Sequence, residues 1–410
     1  MALTTISSDR LSTNVKNTNF TAAEKQDLTD DILPLATQFG QSKNLIINGA
    51  MNVAQRATSE TGLAANGYST VDRFAMYQSG TDAYPSTAQA DVASGTTPYT
   101  NGFRKSFKIT NGNQTSGGQA ADQLYISHKI EAQNMATSGW NYTSTSSNVT
   151  LSFWVKSSVA QNFYGYLKVN DGTTQNYPFE TGSLTANTWT KITKTIPGNS
   201  NLQFDTDTET NRVAAGVEFV VGLFFGTDHT GTITLNQWGA WSSTNRLPDY
   251  GTANDDWYET NGATFELTGV QLEVGSVATD FEHLSFADEL RRCQRYFYKT
   301  YEQGIAPGTA SQGADITSKR NEDYNSGRTD HEFNSYYSVP MRATPTLTFY
   351  SYAGTVNKFT NANVDFSGAT EGTIAGSVYN GRKKLSHISM ADSVGGGKFC
   401  FFHFTASAEI

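Results

Sequence analysis

Residues 217–225, VEFVVGLFF, are apolar at odd and even positions alike. Successive side chains of a strand point to opposite faces, so a run with no polar face has to be covered on both sides, as the central strand of a sandwich is. Other runs are half-buried by the same criterion. LSFWVKS (151–157) sets Leu151, Phe153 and Val155 against Ser152, Trp154 and Lys156, and FRKSFKIT (103–110) puts Phe103, Phe107 and Ile109 on one face. FELTGVQLEV (265–274) changes parity, from Phe265 and Leu267 to Val270, Leu272 and Val274, with Gly269 between them. A glycine at a parity switch predicts a β-bulge. Asn-Gly and Asp-Gly pairs at 48–49, 66–67, 101–102, 111–112, 171–172, 261–262 and 380–381 mark tight turns.

Composition agrees with a strand-and-turn chain. Thr, Ser, Asn and Gly supply 158 of the 410 residues, and 24 Phe, 20 Tyr and 6 Trp provide large apolar area to bury, which argues against disorder. A net charge of −9 without a basic stripe makes nucleic acid a poor partner. No apolar run reaches the length of a membrane-spanning helix and Met1–Arg10 has no secretory pattern, so a chain without an export signal and without membrane insertion is expected. Cys293 and Cys400 are too few for a disulfide framework or a cysteine zinc site and read as small core residues.

Two segments leave the strand pattern. In TAAEKQDLTDDILPLATQFG (21–40), Thr21 and Glu24 form a capping box ahead of Leu28, Ile32, Leu35 and Phe39 at helical spacing, with Pro34 kinking or ending the helix. This apolar stripe needs a partner, so it reads as a docking or oligomerising element. Around 285–301, Phe286, Leu290, Cys293 and Phe297 make a stripe, Ser285 caps, and Arg291, Arg292, Arg295 and Lys299 fall on the other faces as a solvated, salt-bridged surface. TPTLTFYSY (344–352) and KFCFFHFTASAEI (398–410) are the clearest strands of a last β region. The expected organisation is a segment at 1–43, a β domain at 44–283, a linker helix at 284–302 and a small second β-sandwich at 303–410.

A search for reaction chemistry comes back empty. The six histidines form no H-x-x-x-H pair, there is no G-x-S-x-G, and SVGGGKF (393–399) lacks the first glycine and the Ser/Thr of a phosphate loop. DTDTET (205–210) opens like a calcium loop but has Thr210 at the sixth position and Gly216 at the twelfth, which excludes an EF-hand. Asp255 and Asp256 are the best candidates for a paired-carboxylate hydrolase. The positive signal is aromatic: Trp140, Tyr142, Trp238, Trp241, Trp257 and Tyr258 sit among Gly, Ser, Asn and Asp, and exposed rings beside such side chains suit the faces and hydroxyls of sugars. With Asp255 and Asp256, they are the candidate glycan contacts.

NLIINGAMNVAQR (44–56), LSFWVKS (151–157), TWTKITKTI (188–196) and FELTGVQLEVG (265–275) resemble, in order, segments of carbohydrate-binding jelly-roll modules. Together with TGVQLEVGSVATDFEH (268–283), ELRRCQRYFYKTY (289–301) and the terminal TASAEI, the first block resembles a family of bacteriophage tail-fibre and virion-appendage proteins. The chain departs from that pattern at Ala57, Asp280 and Leu284. The resemblance implies a mainly β fold built on a jelly-roll β-sandwich, with 44–56 supplying a first strand beside V-Q-L-E. It also implies a non-catalytic homotrimer in the virion, made in the host cytoplasm, anchored to other virion proteins through its N-terminus and attaching to host surface polysaccharide. No cofactor is implied beyond room for a structural calcium between those strands. The alternatives are a capsid decoration or head fibre, and a polysaccharide-degrading tailspike using Asp255 and Asp256.

Overall fold

The computed structural model describes residues 42–249, 256–310, 317–320, 328–374 and 378–410. Leu28, Ile32, Leu35 and Phe39 lie outside them, as does Asp255. Residues 44–410 form one compact unit.

Its first part is a two-sheet sandwich. The first sheet runs β1 (Ser59–Glu60), β3 (Ser86–Asp91), β4 (Lys105–Thr110), β14 (Thr264–Val274), β6 (Asn148–Ser157), β9 (Thr190–Pro197). The second runs β12 (Gly239–Ala240), β8 (Gln175–Ser183), β7 (Asn162–Val169), β10 (Ala215–Phe225), β5 (Gln123–Glu131), β2 (Ala75–Ser79). The inner orders β4-β14-β6-β9 and β5-β10-β7-β8 are the two interleaved four-strand sheets of a jelly roll, with β3 and β2 added at the edges. VEFVVGLFF occupies the centre of the second sheet, with Val217, Phe219, Val221 and Leu223 in the core. Leu151, Phe153 and Val155 face them from β6, fully buried. The register of β14 on β6 slips between Thr268 and Gln271, and Gly269 has φ +62°, the bulge that the parity switch predicts. Residues 44–50, expected as a strand, form turns instead, with Asn48 at φ 62°. They still lie against β14: Leu45 N donates to Leu272 O, and Val270 N to Gly49 O.

The second part centres on β23 (Phe399–Ser407), which pairs with β15 (Phe297–Lys299) and β18 (Thr346–Tyr350) along its later half. Its earlier half pairs with β16 (Thr317–Arg320) and β19 (Lys358–Ala362). A three-stranded sheet of β17 (Arg328–Tyr336), β22 (Lys384–Val394) and β21 (Val378–Asn380) contributes Leu385, Ile388 and Met390 to the same core as Phe402 and Phe404. The helix Phe286–Gln294 precedes β15, and Ser285 caps it by accepting from Asp288 N. Asp288 pairs with Arg291 at 3.6 Å on the exposed face. Arg295 and Lys299 depart from the expected solvated surface. Arg295 donates two 2.7 Å bonds to the buried Glu131, and Lys299 is buried with Nζ on Ile305 O at 2.7 Å.

The two parts meet at a buried polar hub. Arg73, fully buried and in the left-handed region at φ 70°, pairs with Glu409 and donates to Lys129 O at 2.7 Å, its guanidinium 3.6 Å from the Tyr296 ring centroid. Arg56 bridges Glu409 at 3.0 Å and Asp72 at 3.6 Å, while Arg342 donates to the backbone oxygens of Ala408 and Glu409. Removing one partner of such a pair strands a charge in the interior, a loss of about 3–5 kcal/mol. Glu409→Ala is therefore expected to destabilise the protein by about that amount in urea unfolding, whereas an alanine at the exposed Asp288 changes it by less than about 0.5 kcal/mol.

His128, on the core side of β5, is 1% exposed and packs 4.8 Å from Phe74. Burial first, and then the Arg73 charge, hold its pKa well below the usual value, so the fold contains the neutral ring. The unfolded chain takes up the proton near pH 6.5. Stability is thus complete above about pH 6.5 and falls on acidification by up to about 1.4 kcal/mol per pH unit until the folded-state pKa is reached. Unfolding midpoints measured between about pH 5 and 7 should show that slope in the native protein and a shallower one in His128→Phe.

Candidate functional site

Most of the aromatic residues expected at a glycan surface prove to hold loops onto the core. Trp257 and Tyr258 occupy a single helical turn, Asp256–Glu259, and are fully buried. The Trp257 indole donates to Thr264 O at 3.0 Å, and Tyr258 stacks on Phe224 with centroids 4.1 Å apart while its hydroxyl donates to Asp122 at 3.3 Å. Burial, and then the Asp122 charge, push that phenol above its ordinary pKa. Trp140 is buried beside Phe204, and the half-buried Tyr142 meets Phe204 edge-on at 4.7 Å. Trp238 packs 5.3 Å from Tyr177 and donates to Pro197 O at 2.7 Å. The expectation of exposed rings is corrected at Trp140, Trp257 and Tyr258, which are buried with their polar atoms bonded within the sandwich, while Tyr142 and Trp238 are half-buried against it. Asp256 is exposed on its turn, with the exposed Glu259 three residues on in the same turn.

Trp241 is placed differently, over the outer face of the second sheet. The inner residues of β5, β10 and β7 fill the core, so their alternates face outward in rows fixed by the strand register. One row is Tyr77–Tyr125–Gly222–Tyr164, another Ser127–Val220–Tyr166, and a third Lys129–Glu218–Lys168. A Cβ on Gly222 would stand 2.5 Å from the Phe225 ring, so its absence lets Phe225 lie across the sheet. The result is a ladder of rings with successive centroids 5.2 Å (Tyr77–Tyr125), 5.4 Å (Tyr125–Phe225), 6.5 Å (Phe225–Tyr166) and 5.3 Å (Tyr166–Trp241) apart. Leu247 in β13 (Leu247–Pro248) seals Tyr166, Val220 and Phe225 from above, leaving Tyr77, Tyr125, Tyr164 and Trp241 half-buried.

Charged groups line the ladder. Lys168 Nζ stands 4.5 Å from the Trp241 ring centroid and Arg246 5.7 Å from it. Glu218 lies between Lys129 and Lys168 and accepts from Ser127 Oγ at 2.7 Å. Burial lowers the Lys168 pKa against the pull of Glu218, and burial with the Glu218 charge pushes Tyr125 up to about 12. The phenol is therefore a neutral donor at physiological pH. Flat rings flanked by ammonium, carboxylate and hydroxyl groups can bind the apolar face of a sugar ring and its hydroxyls together. Tyr77, Tyr125, Tyr164, Lys168 and Glu218 carry a sequence signal, aromatic or charged residues alternating with core residues along a strand. Their grouping does not, because it depends on which strands pair.

The stretch between residues 44–49 and β14, where the resemblance leaves room for calcium, has its oxygens occupied by protein donors. Asn44 Oδ1 accepts from Ile46 N and Leu272 N, and Gln271 Oε1 from Glu282 N. Glu273 accepts from Thr279 through both oxygens, and Glu282 Oε2 from Asn44 N at 2.7 Å. Among the described residues no group of three or more His, Cys, Asp or Glu side chains is placed to hold a metal ion.

No protein-family model matches the chain, and no curated protein matches it. Solved structures do. The enzymatically active domain of bacteriophage CBA120 tailspike protein 4 is 10% identical over 57% of this chain and 22% of its own, with a TM-score of 0.28. A tandem family 22 carbohydrate-binding domain from Paenibacillus barcinonensis is 10% identical over 87% of this chain and 93% of its own, with a TM-score of 0.23. A family 11 carbohydrate-binding module from Clostridium thermocellum, solved with a mixed-linked tetrasaccharide, is 10% identical over 55% of this chain and all of its own, with a TM-score of 0.24.

Proposed function

We propose that this chain is a carbohydrate-binding adhesin of a phage virion, a tail fibre or receptor-binding protein that takes host surface polysaccharide on the outer face of the second sheet. The observation that carries the binding reading is the ring ladder from Tyr77 to Trp241, edged by Lys168, Glu218 and Arg246. A packed enzyme cleft would need a reacting group held beside a partner that tunes it. The half-buried groups here are spread along the sheet on either side of the stretch that Leu247 covers, which suits several weak contacts to an extended chain. The virion role draws on the segments at 44–56, 268–283, 289–301 and 405–410 that resemble tail-fibre proteins. A homotrimer would present three such faces, so weak single-site affinities add through effective concentration.

Loss of one stacking ring typically costs on the order of 1 kcal/mol, or several-fold to tenfold in dissociation constant. Tyr125→Ala and Trp241→Ala are expected to reduce retardation of the protein in affinity gels cast with host surface polysaccharide by about that factor, with unchanged circular dichroism. Retardation equal to the native protein in both variants would sink the ladder as the binding face. For the virion role, particles assembled with a chain lacking residues 1–43 should carry none of it in immunoblots; normal incorporation would remove the anchoring claim.

A further inference from the structure

The opposite face of the sandwich contains a second set of rings that the ladder does not explain. At the β14 bulge, Thr268 pairs with Trp154 and Gln271 with Ser152, so Gly269 and Val270 stand opposite the single residue Phe153. Val270 goes to the core and Gly269 faces outward. A Cβ on Gly269 would lie 2.7 Å from Phe103 and 3.0 Å from Trp154, and its φ of +62° also favours glycine. The missing side chain leaves a pocket of about 310 Å3. Phe103, expected in line with Phe107, turns instead to this outer side and closes a triangle with Phe281 and His283, at centroid distances of 4.9, 4.9 and 5.1 Å. His283 Nε2 donates to Asn101 O at 2.9 Å, which fixes that ring.

Polar atoms in this pocket are left without protein partners. Ser152 is 3% exposed, yet among the described residues its hydroxyl has no hydrogen-bond partner, nor does the indole N–H of the half-buried Trp154. The Lys191 ammonium, on the residue that pairs with Trp154 across β6 and β9, likewise has no partner among them. A hydroxyl and an indole N–H unpaired within the protein beside a ring-lined cavity are open to a ligand or water.

We propose that this pocket is a second carbohydrate site, taking one neutral pyranose unit of a glycan. The volume is at the low end of small-ligand pockets, room for one sugar ring and a substituent but not for a chain. The ring's apolar face lies on Phe281 and Trp154. Its hydroxyls accept from the Trp154 N–H and Lys191 and donate to Ser152 Oγ, residues that line the cavity. Donors and an acceptor around aromatic rings match vicinal hydroxyls, which both give and accept hydrogen bonds; Asp280 also lines the cavity, and an anionic unit would meet it. The ligand class is that of the proposed function, but the site shares no residue with the ladder. One sandwich would therefore hold two glycan strands, one on each face.

The six tryptophans allow the two faces to be read apart. The full chain, labelled with 5-fluorotryptophan, is titrated with the methyl glycosides of glucose, galactose and mannose while 19F spectra are recorded, the Trp154 and Trp241 lines being assigned by Trp154→Phe and Trp241→Phe. Expected is a saturable shift of the Trp154 line by at least one glycoside with a dissociation constant of order millimolar, weakened at least about fivefold by Lys191→Ala and by Phe281→Leu. Both variants should keep the unliganded spectrum, which shows that the fold is intact. A Trp154 line unmoved by every glycoside overturns the site, and so does a shift that both variants retain unchanged. Movement of Trp241 alone overturns this proposal and leaves the ladder standing. Movement of Trp154 alone supports the pocket and counts against the ladder.

Discussion

Arg73 cannot sit where it does without Glu409. A guanidinium with no exposed surface, on a backbone held at φ 70°, is tolerable only because a carboxylate, a carbonyl and an aromatic face surround it. Those partners come from β23's end, β5 and the segment after the helix. Much of the remaining architecture can be traced from that pair. Arg56 and Arg342 fasten the same C-terminal residues from other sides, and Glu131 gathers Arg295 and the Tyr296 hydroxyl one strand position away from Ile130 in the jelly-roll core. Asn48 orders its own turn by bonding to Val53 and Asp72 and reaches the helix through Glu289. The jelly roll and the second β region are thus joined by desolvated charge and hydrogen bonds, which require one relative placement where an apolar contact would tolerate sliding.

That fixed placement leaves the two outer faces of the jelly roll with different characters. On the second sheet, alternating charges at Lys129, Glu218 and Lys168 run parallel to the aromatic row, and the loop carrying Trp241 overhangs one end. On the first sheet, the β-bulge subtracts a side chain and draws in rings from a turn and from the segment after β14. One surface is extended and the other is a dent. They share nothing but the sandwich core between them, in which Phe153 and Phe219 meet at 5.5 Å.

The strand pattern was legible because burial imposes it directly. Leu151, Phe153 and Val155 alternate in sequence for the same reason that they face Phe219 in space, and the parity switch at Gly269 is the bulge itself. What could not be read depends on distant partners. Trp257 and Tyr258 look like surface rings beside Asp256 and Glu259, yet a loop's composition does not reveal that it folds over the open end of a sandwich and buries its rings against Phe163 and Phe224. Arg295 and Lys299 read as solvated because their acceptors, Glu131 and the Ile305 carbonyl, are absent from their own helix face. Phe103 keeps the parity of Phe107 but precedes the strand, so a turn was free to send it to the other side. Three tyrosines on three strands, Tyr77, Tyr125 and Tyr164, become neighbours only through the order of the sheet.

The distance along the chain between Arg73 and Glu409, 336 residues, bears on how the protein is made. At about 5–20 residues per second, translation separates the emergence of the two by roughly tens of seconds. The last jelly-roll strand, β14, ends at Val274, so only for the final 135 residues of that span, roughly 7–27 seconds of synthesis, are all the jelly-roll strands made while Arg73 still has no counter-ion. Until then neither Glu409 nor the Tyr296 ring covers Arg73, so its guanidinium stays in water and the joint between the two parts closes only when Glu409 arrives. The jelly-roll core draws on residues 46–272 alone and can form first, whereas a product cut short of Glu409 would lack the ion pair that fixes the second β region upon it.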